Sequence, residues 1–367
     1  MHPYYILTNL ILIEMETAFY TERAVSTLKK LIATPSVSRN EDKAANILQD
    51  EITSLGIKTF RKGNNVWAID THFDENLPTI LLNAHIDTVK PVDTWTMLPF
   101  TPKVIDGRLY GLGSNDCGGG LVSLLQVFSI MQDVERDYNL VYLASAEEEV
   151  SGANGFSLAL PLLPVIDVAI VGEPTGMQPA IAEKGLMVVD CEAKGKSGHA
   201  AREEGVNAIY EALDDLNWVR NHHFDKVSDL LGPTKMTATI INAGTQHNVI
   251  PDKCKFVLDI RTNEFYKNEE VYAYLKKHMK SEVKARSFRL NSSRISPQHP
   301  IVQRCIEMGL TPFGSPTLSD QALMPFESVK LGPGESSRSH SADEFIKVSE
   351  IEQAIDIYVQ LLTGLEL

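Results

Sequence analysis

The sequence predicts an α/β protein in which one domain, built on a mostly parallel sheet, is interrupted by a smaller inserted domain. Short apolar runs at residues 80–82 and 139–146 are typical of strands buried on both faces, and segments of helical periodicity lie between them. From about residue 181 the order changes to β-α-β-β-α-β, which is typical of a ferredoxin-like unit. A length of 367 residues also favours two domains.

We expect residues 1–180 and 290–367 to form the first domain and residues 181–289 to form the insertion. Residues 1–14 are interpreted as an extension that precedes the fold. This stretch is apolar, but no Lys or Arg precedes it and no small-residue cleavage site follows it, so a secretory signal is the less favoured alternative.

The elements of the first domain are predicted from the spacing of apolar residues and from the residues that begin or end helices. A helix at 17–33 ends before Pro35, and a second helix at 41–55 follows Asn40, a possible N-cap, and stops at Gly56. The other elements predicted for this domain are strands at 57–61, 65–70, 79–84, 139–146 and 165–171 and helices at 119–132, 300–309 and 349–364. The insertion is predicted to contain strands at 184–194, 235–243, 254–261 and 282–289 and helices at 204–220 and 268–280.

The composition limits the possible partners. The chain has 34 basic and 48 acidic residues and a net charge of -14, so a nucleic-acid or membrane partner is not expected. Its four cysteines are scattered, which fits neither a zinc–thiolate cluster nor a disulfide framework and indicates a cytoplasmic protein. A small-molecule substrate remains compatible with this charge.

Polar residues follow several predicted strands directly. His85 and Asp87 follow the strand at 79–84, and because they are two residues apart they point to the same side of an extended chain. Asp116 lies in a glycine-rich turn before a helix, and the run 147–149 and Glu173 follow two further strands. Carboxylates gathered at one edge of a sheet repel each other unless a cation holds them together.

The sequence therefore predicts a metal site made by His85, Asp116, a glutamate of 147–149, Glu173 and His340. Mixed imidazole and carboxylate ligands favour zinc, with cobalt or manganese as alternatives. Five ligands exceed one tetrahedral site, so we expect two ions, bridged by a carboxylate, that activate water for hydrolysis. A spare carboxylate of the acidic run would serve as general base.

The motifs NAHIDTV, GLGSNDCGGG, AEEEVSG, GEPT, GKSGHAA, NVIPD, DIR and GPGESSRSHSADE together resemble those of the M20 metallo-hydrolases, from about residue 17 to the C-terminus. The resemblance implies that Asp116 bridges two zinc ions, that Asp87 lies behind His85, and that a cis peptide follows Asp116. It implies Glu148 as general base and Glu149 as ligand, with a shift to Glu147 and Glu148 as the alternative register.

For the inserted domain the resemblance implies dimerisation and three further site residues. His199 would steady the oxyanion in the partner subunit's site, with a surface loop histidine as the alternative. Asn248 and Arg261 would bind polar groups and the carboxylate of the substrate, although Arg261 could instead pair with Asp259. In the closing loop, Arg338 would bind a second carboxylate on the acyl group or form a loop salt bridge.

The activity implied by the resemblance is hydrolysis of an N-acyl amino acid, of the N-acetyl- or N-succinyl-ornithine or citrulline type, in arginine biosynthesis. Desuccinylation of succinyl-diaminopimelate and dipeptide hydrolysis are the alternatives with the same machinery. A non-catalytic, metal-dependent binding protein is the alternative from another class. The intact set of ligands and Glu148 disfavours that last reading.

Overall fold

The computed structural model describes residues 3–202 and 204–367, with the backbone alone at 3–16. The chain forms two compact units. One runs from the N-terminal helix to Ile181 and continues at Ile295–Phe313 and Ser319–Leu367. The other comprises Ala182–Arg294 and Gly314–Leu318. The second unit therefore includes a short segment near residue 316 that the sequence did not predict to belong to it.

Helices lie in both units. They are α1 (Pro3–Ile32), α2 (Asp42–Ser54), α3 (Gly119–Ile130), α4 (Phe156–Ala159), α5 (Ala208–Asn221), α6 (Asn268–His278), α7 (Pro300–Glu307) and α8 (Val348–Leu362). The structure extends α1 back through residues that we interpreted as an extension. Helix α2 ends as predicted with Gly56 at a positive φ of 77°, but its N-cap is Glu41 and not Asn40.

The strands form a main sheet, a four-stranded sheet in the second unit and two smaller sheets. They are β1 (Thr59–Lys62), β2 (Asn65–Ile69), β3 (Thr79–His85), β4 (Lys103–Ile105), β5 (Arg108–Tyr110), β6 (Asn139–Ser145), β7 (Val168–Val171), β8 (Ala180–Glu183), β9 (Met187–Lys194), β10 (Gly198–His199), β11 (Lys235–Ala243), β12 (Val249–Ile250), β13 (Lys253–Arg261), β14 (Glu282–Ala285), β15 (Ser293–Arg294), β16 (Phe313–Ser315), β17 (Glu327–Lys330) and β18 (Phe345–Lys347). The two smaller sheets are β10-β12 and β18-β5-β4.

The main sheet has the strand order β1-β2-β6-β3-β7-β17-β8-β15, with β16 paired to β8. Strand β3 is parallel to β6 and β7, and β17 is parallel to β7. The outer pairs are antiparallel. The α/β class is therefore confirmed, but the sheet is mixed because tight connections such as that between β1 and β2 join neighbouring strands.

Strand β3 lies at the centre of this sheet, and all seven of its residues are buried. Ile80 and Leu82 belong to the core that includes α1, α3 and α8, whereas Leu81 belongs to the core that includes α4. Both faces are thus covered, which explains the uninterrupted apolar run in the sequence. The polar residues at its carboxyl end lie at the edge of a rigid, buried sheet.

Apart from short strands, the elements of the second unit follow one another along the chain as β9-α5-β11-β13-α6-β14. Its antiparallel sheet has the strand order β11-β13-β9-β14. Alternate residues of β9 are buried, including Val189 and Cys191, and they pack in the core of this unit. A sheet covered on one face requires this alternation. Strand β11 is an edge strand, and nearly all of its residues are exposed.

The region that the structure describes contains no helix with both the length and the apolar character needed to span a bilayer.

Candidate metal centre

His85, the last residue of β3, has defined neighbours at both ring nitrogens. Nδ1 lies 2.9 Å from the backbone oxygen of Asp87. Because a carbonyl oxygen can only accept, Nδ1 carries the proton, and Nε2 is the nitrogen that can offer a lone pair. Nε2 faces carboxylate oxygens of Asp116 at 3.2 Å and Glu173 at 3.5 Å. This approach is favourable only when a proton or a metal ion lies between them.

Asp116 lies in the tight turn Ser114–Gly118 ahead of α3, and the peptide bond to Cys117 is cis, as the resemblance implied. The two carboxylate oxygens of Asp116 face different imidazoles. Oδ1 is 3.2 Å from Nε2 of His85, and Oδ2 is 3.6 Å from Nε2 of His340. Asp116 is therefore the carboxylate that connects the two histidines.

Glu344 holds the turn that carries Asp116. This buried carboxylate accepts hydrogen bonds from the backbone N–H groups of Gly113, Asn115 and Asp116, at 3.1, 2.7 and 2.9 Å. Burial raises the pKa of Glu344 to about 8. The sequence analysis assigned no role to Glu344, although it lies in the same motif as His340.

Glu148 and Glu149 follow β6 in a short 3₁₀ turn that Asp87 orients. Oδ1 of Asp87 accepts a hydrogen bond from the N–H of Glu148 at 3.0 Å. Oδ2 of Asp87 accepts from the N–H of Glu149 at 3.2 Å and from the hydroxyl of Ser38 at 2.7 Å. The distance from this carboxylate to Nδ1 of His85 is 3.6 Å, too long for a hydrogen bond. Asp87 therefore contacts the imidazole of His85 through its backbone oxygen, and its carboxylate orients the two glutamates.

The three glutamates after β6 face different partners. The carboxylate of Glu147 accepts hydrogen bonds from the side chain and backbone of Asn154, at 3.0 and 3.3 Å. That of Glu149 lies 2.9 Å from Nε2 of His340. Burial raises the pKa of the Glu148 carboxyl well above its usual range. This geometry supports the register with Glu148 as base and Glu149 as ligand over the shifted one.

Glu173 follows β7 and completes the cluster. Burial, and next the charge of Asp116, raise the pKa of Glu173 to about 8. For His340, the hydrogen bond with Glu149 is the main reason why the pKa is raised to about 9. For both Glu148 and Glu173 burial is the main cause of the raised pKa, and neighbouring carboxylates raise it further.

The five predicted ligands thus lie in one cluster of the first unit. Ligand atoms of His85, Asp116 and Glu149 lie within 4.8 Å of one another, and those of His85, Cys117 and Glu173 do so as well. Imidazole nitrogens and carboxylate oxygens are suitable zinc ligands. The close approach of several carboxylates, together with the orientation of His85 Nε2 toward two of them, fits a site that gains its stability from bound cations.

His199 and Asn248 lie side by side in the second unit. Strand β10 pairs with β12, and the N–H of Ala200 donates to the backbone oxygen of Asn248 at 3.0 Å. Nδ1 of His199 accepts the N–H of Ala201 at 3.1 Å. Nε2 is therefore the nitrogen that can carry a proton on this exposed side chain. It is available as a hydrogen-bond donor.

Each of the two predicted arginines pairs with a carboxylate. Nε and Nη2 of Arg261 donate to Asp259 at 2.8 and 3.1 Å, and the pair is about one-third exposed. Arg338 donates to both carboxylate oxygens of Glu350, at 2.7 and 2.9 Å, and stacks on the ring of Phe345. For Arg338 the structure therefore gives the salt-bridge alternative, because both ends of its guanidinium are occupied.

Comparisons with known proteins decide the family. The profile described as peptidase family M20/M25/M40 matches residues 81–364. The chain belongs to this family. This confirms the resemblance indicated by the motifs, and the chain is therefore a hydrolase of the M20 group, whose chemistry is the cleavage of amide bonds.

Similar curated proteins match most of the chain. The acetylornithine deacetylase of Proteus mirabilis is 29% identical, with 91% of this chain and 94% of that protein covered. The acetylornithine deacetylase of Pectobacterium carotovorum is 28% identical, with 91% of this chain and 95% of that protein covered.

Solved structures share the M20 fold of this chain. Aminopeptidase PepT from Bacillus cereus superposes with a TM-score of 0.76 at 19% identity, covering 94% of this chain and 98% of that one. A dinuclear metal-binding M20 peptidase from Bacillus subtilis gives a TM-score of 0.73 at 17% identity, with coverage of 94% and 98%. At these identities the likeness shows the fold alone.

Proposed function

We propose that this M20 hydrolase removes the acyl group from an N-acyl amino acid, with N-acetylornithine as the first candidate substrate and zinc as the metal. The observation that carries the proposal is the cluster of five ligand side chains with the partly buried Glu148 beside it. The similarity to acetylornithine deacetylases over most of the chain supports the choice of substrate.

The cluster divides into two sets of ligands. His85 and Glu173 would hold one zinc ion, Glu149 and His340 would hold the second, and Asp116 would be shared. The support is that Oδ1 of Asp116 faces His85 while Oδ2 faces His340. Bound zinc would supply polarisation of the scissile carbonyl and a lowered pKa of the attacking water.

Glu148 is the group that moves the proton. Asp87 fixes the backbone of Glu148, and burial raises the pKa of its carboxyl, which makes the carboxylate form a stronger base. In the proposed reaction Glu148 takes the proton from the attacking water as it adds to the amide carbonyl. It then gives this proton to the amine nitrogen as the carbon–nitrogen bond breaks, so that a carboxylic acid and a free amino acid leave.

The second unit would provide a dimer interface and His199. Strand β11 exposes an unpaired edge, and Ile240 and Ile241 are 51% and 53% exposed. Such an edge pairs readily with a second copy of itself, so we assign the homodimer contact to β11. With Nε2 as a donor, His199 would stabilise the oxyanion in the partner subunit's site. Asn248 and Arg261 would bind the amino acid portion.

This reaction would release ornithine or citrulline in arginine biosynthesis, in the cytoplasm. The test is amine release, detected with ninhydrin, by zinc-loaded protein from a panel of substrates. The panel holds N-acetyl and N-succinyl forms of ornithine, citrulline and diaminopimelate, together with several dipeptides. Preference for an acyl ornithine or citrulline supports the proposal. Preference for succinyl-diaminopimelate or for dipeptides assigns the same centre to the alternative reactions, and no release would favour the non-catalytic reading.

A further inference from the structure

Glu41 is a buried carboxylate that the proposed mechanism does not use. It precedes α2 and is 0% exposed. Its Oε1 accepts the N–H of Arg39 at 2.6 Å and the N–H of Glu147 at 3.2 Å, and its Oε2 accepts the side-chain amide of Asn64 at 2.7 Å. A fully buried carboxylate requires hydrogen bonds to offset its desolvation. One of these comes from residues 147–149, called the acidic turn below.

Two side chains of the loop at residues 36–41 connect it to the acidic turn. The loop itself is held against the segment after β3, where the N–H of Ser38 donates to the backbone oxygen of Thr88 at 3.1 Å. The hydroxyl of Ser38 donates to Asp87, which in turn holds the N–H groups of Glu148 and Glu149. Glu41 holds the N–H group immediately before them.

Successive backbone N–H groups of the turn are therefore bound by side chains from elsewhere in the chain. The N–H of Ala146 donates to Asn65 Oδ1 at 3.0 Å, that of Glu147 donates to Glu41, and those of the next two residues donate to Asp87. Glu147 has a positive φ of 55°, a conformation that a non-glycine residue adopts only when its surroundings hold it. Hydrogen bonds at this residue decide where the next side chain points.

We infer that Glu41 is a positioning residue for Glu148: by binding the N–H of Glu147 it fixes the turn that aims the Glu148 carboxyl. The inference rests on the proposed role of Glu148 as general base. Glu41 contacts none of the five ligand side chains through the hydrogen bonds above, and Glu149 is held in addition by Asp87 and His340. The effect of Glu41 is therefore expected on the chemical step, without an effect on metal content.

The test compares Glu41→Ala with Glu41→Gln in zinc-loaded protein. Alanine removes the acceptor, and because a displacement of about 1 Å at a reacting group can cost roughly 100-fold, we expect kcat to fall by about 10- to 100-fold. KM and the bound zinc per chain should stay unchanged. Glutamine keeps an oxygen for the N–H of Arg39 and Glu147, so it should restore kcat to within about threefold of wild type, an expectation based on the same geometry.

Asn64→Ala is the matched control, because it removes the partner of Oε2 and leaves the contact with Glu147 in place. It should lower stability but leave kcat unchanged. If Glu41→Ala does not fold, Glu41→Asp keeps the charge and withdraws it from Glu147 by one methylene, and the same loss of kcat is expected. A kcat near wild type in folded, zinc-loaded Glu41→Ala or Glu41→Asp would overturn the inference, and so would loss of zinc.

A second readout does not depend on the reaction. Hydrogen exchange of the amides at 147–149 should be faster in Glu41→Ala than in wild type and in Asn64→Ala. Unchanged exchange there would contradict the positioning role even if no substrate were known. If wild-type protein releases no amine from any panel member, the proposed function fails, whereas the exchange result still decides whether Glu41 holds the turn.

Discussion

The predicted site residues are held differently in the two units of this hydrolase. In the first unit, the turns that carry Asp116 and Glu148 are fixed by buried carboxylates that bind backbone N–H groups, namely Glu344 and Asp87. In the second unit, His199 is exposed and Arg261 pairs with a residue two positions away on the same strand. The first arrangement fixes the turns through buried contacts, whereas the second leaves His199 exposed and holds Arg261 only by a local, partly exposed ion pair.

The largest expected effect is that of Glu148→Gln, because it removes the proton acceptor from the fixed region. The substitution keeps the shape of the side chain, so zinc content should be unchanged while kcat falls by about 100- to 10,000-fold. Steady-state kinetics and metal analysis of the same samples check this. Glu147→Gln is the matched control and should keep most of the activity, since the Glu147 carboxylate faces Asn154. The opposite order of effects would support the shifted register.

The next largest effect is expected for His199→Ala, which tests the exposed region. Loss of one oxyanion donor should lower kcat by about 100- to 1,000-fold without loss of zinc. The informative sample is a mixture of His199→Ala chains with Glu148→Gln chains after subunit exchange. Recovery of activity shows that His199 acts in the partner's site. A mixture as inactive as its components, with mixed dimers demonstrated, would contradict that role.

A smaller effect is expected for Arg261→Ala. Its ion pair with Asp259 is about one-third exposed, so the free energy of unfolding should change by less than about 1 kcal/mol. If the guanidinium turns to bind the substrate carboxylate, KM should rise by roughly 10-fold or more, as expected for a lost charged hydrogen bond. Asp259→Ala separates the two roles, because it breaks the pair but keeps the arginine. An unchanged KM in Arg261→Ala would make the residue purely structural.

The smallest effect on activity is expected for Arg338→Ala. The change removes the bidentate partner of the half-buried Glu350, which keeps its contacts with Lys347, and should lower the free energy of unfolding by about 1–3 kcal/mol. Because the guanidinium is occupied by Glu350, the ratio of kcat/KM for succinyl and acetyl substrates should not change. Chemical denaturation and a two-substrate assay check these outcomes. A selective loss on the succinyl substrate would show that Arg338 binds a second carboxylate after all.

The sequence could predict that the candidate ligands lie close together, because most of them are side chains that follow apolar strands directly. His85, Asp116, Glu149 and Glu173 each come after a strand or in a glycine-rich turn, and the end of a buried strand fixes where such residues lie. The α/β class followed from the same apolar runs. His340 required the motif, because no strand precedes it directly.

The supporting residues were missed for a physical reason. Glu41 and Glu344 act through hydrogen bonds to backbone N–H groups far away in the chain, and any backbone amide could be such a partner. Their residue type alone gives no signal, since an acidic residue near a helix start is usually solvated. Likewise, the sequence left two roles open for Arg338, and only the fold shows that Glu350 lies beside it.

The most direct test of the metal centre is a zinc titration of metal-free protein, followed by amine release from N-acetylornithine or from the best substrate of the panel. We predict that activity rises with added zinc and reaches its maximum at two equivalents per chain. Glu148→Gln should take up the same two equivalents and release almost no amine. Full activity with one equivalent, or amine release that does not depend on zinc, would contradict the account.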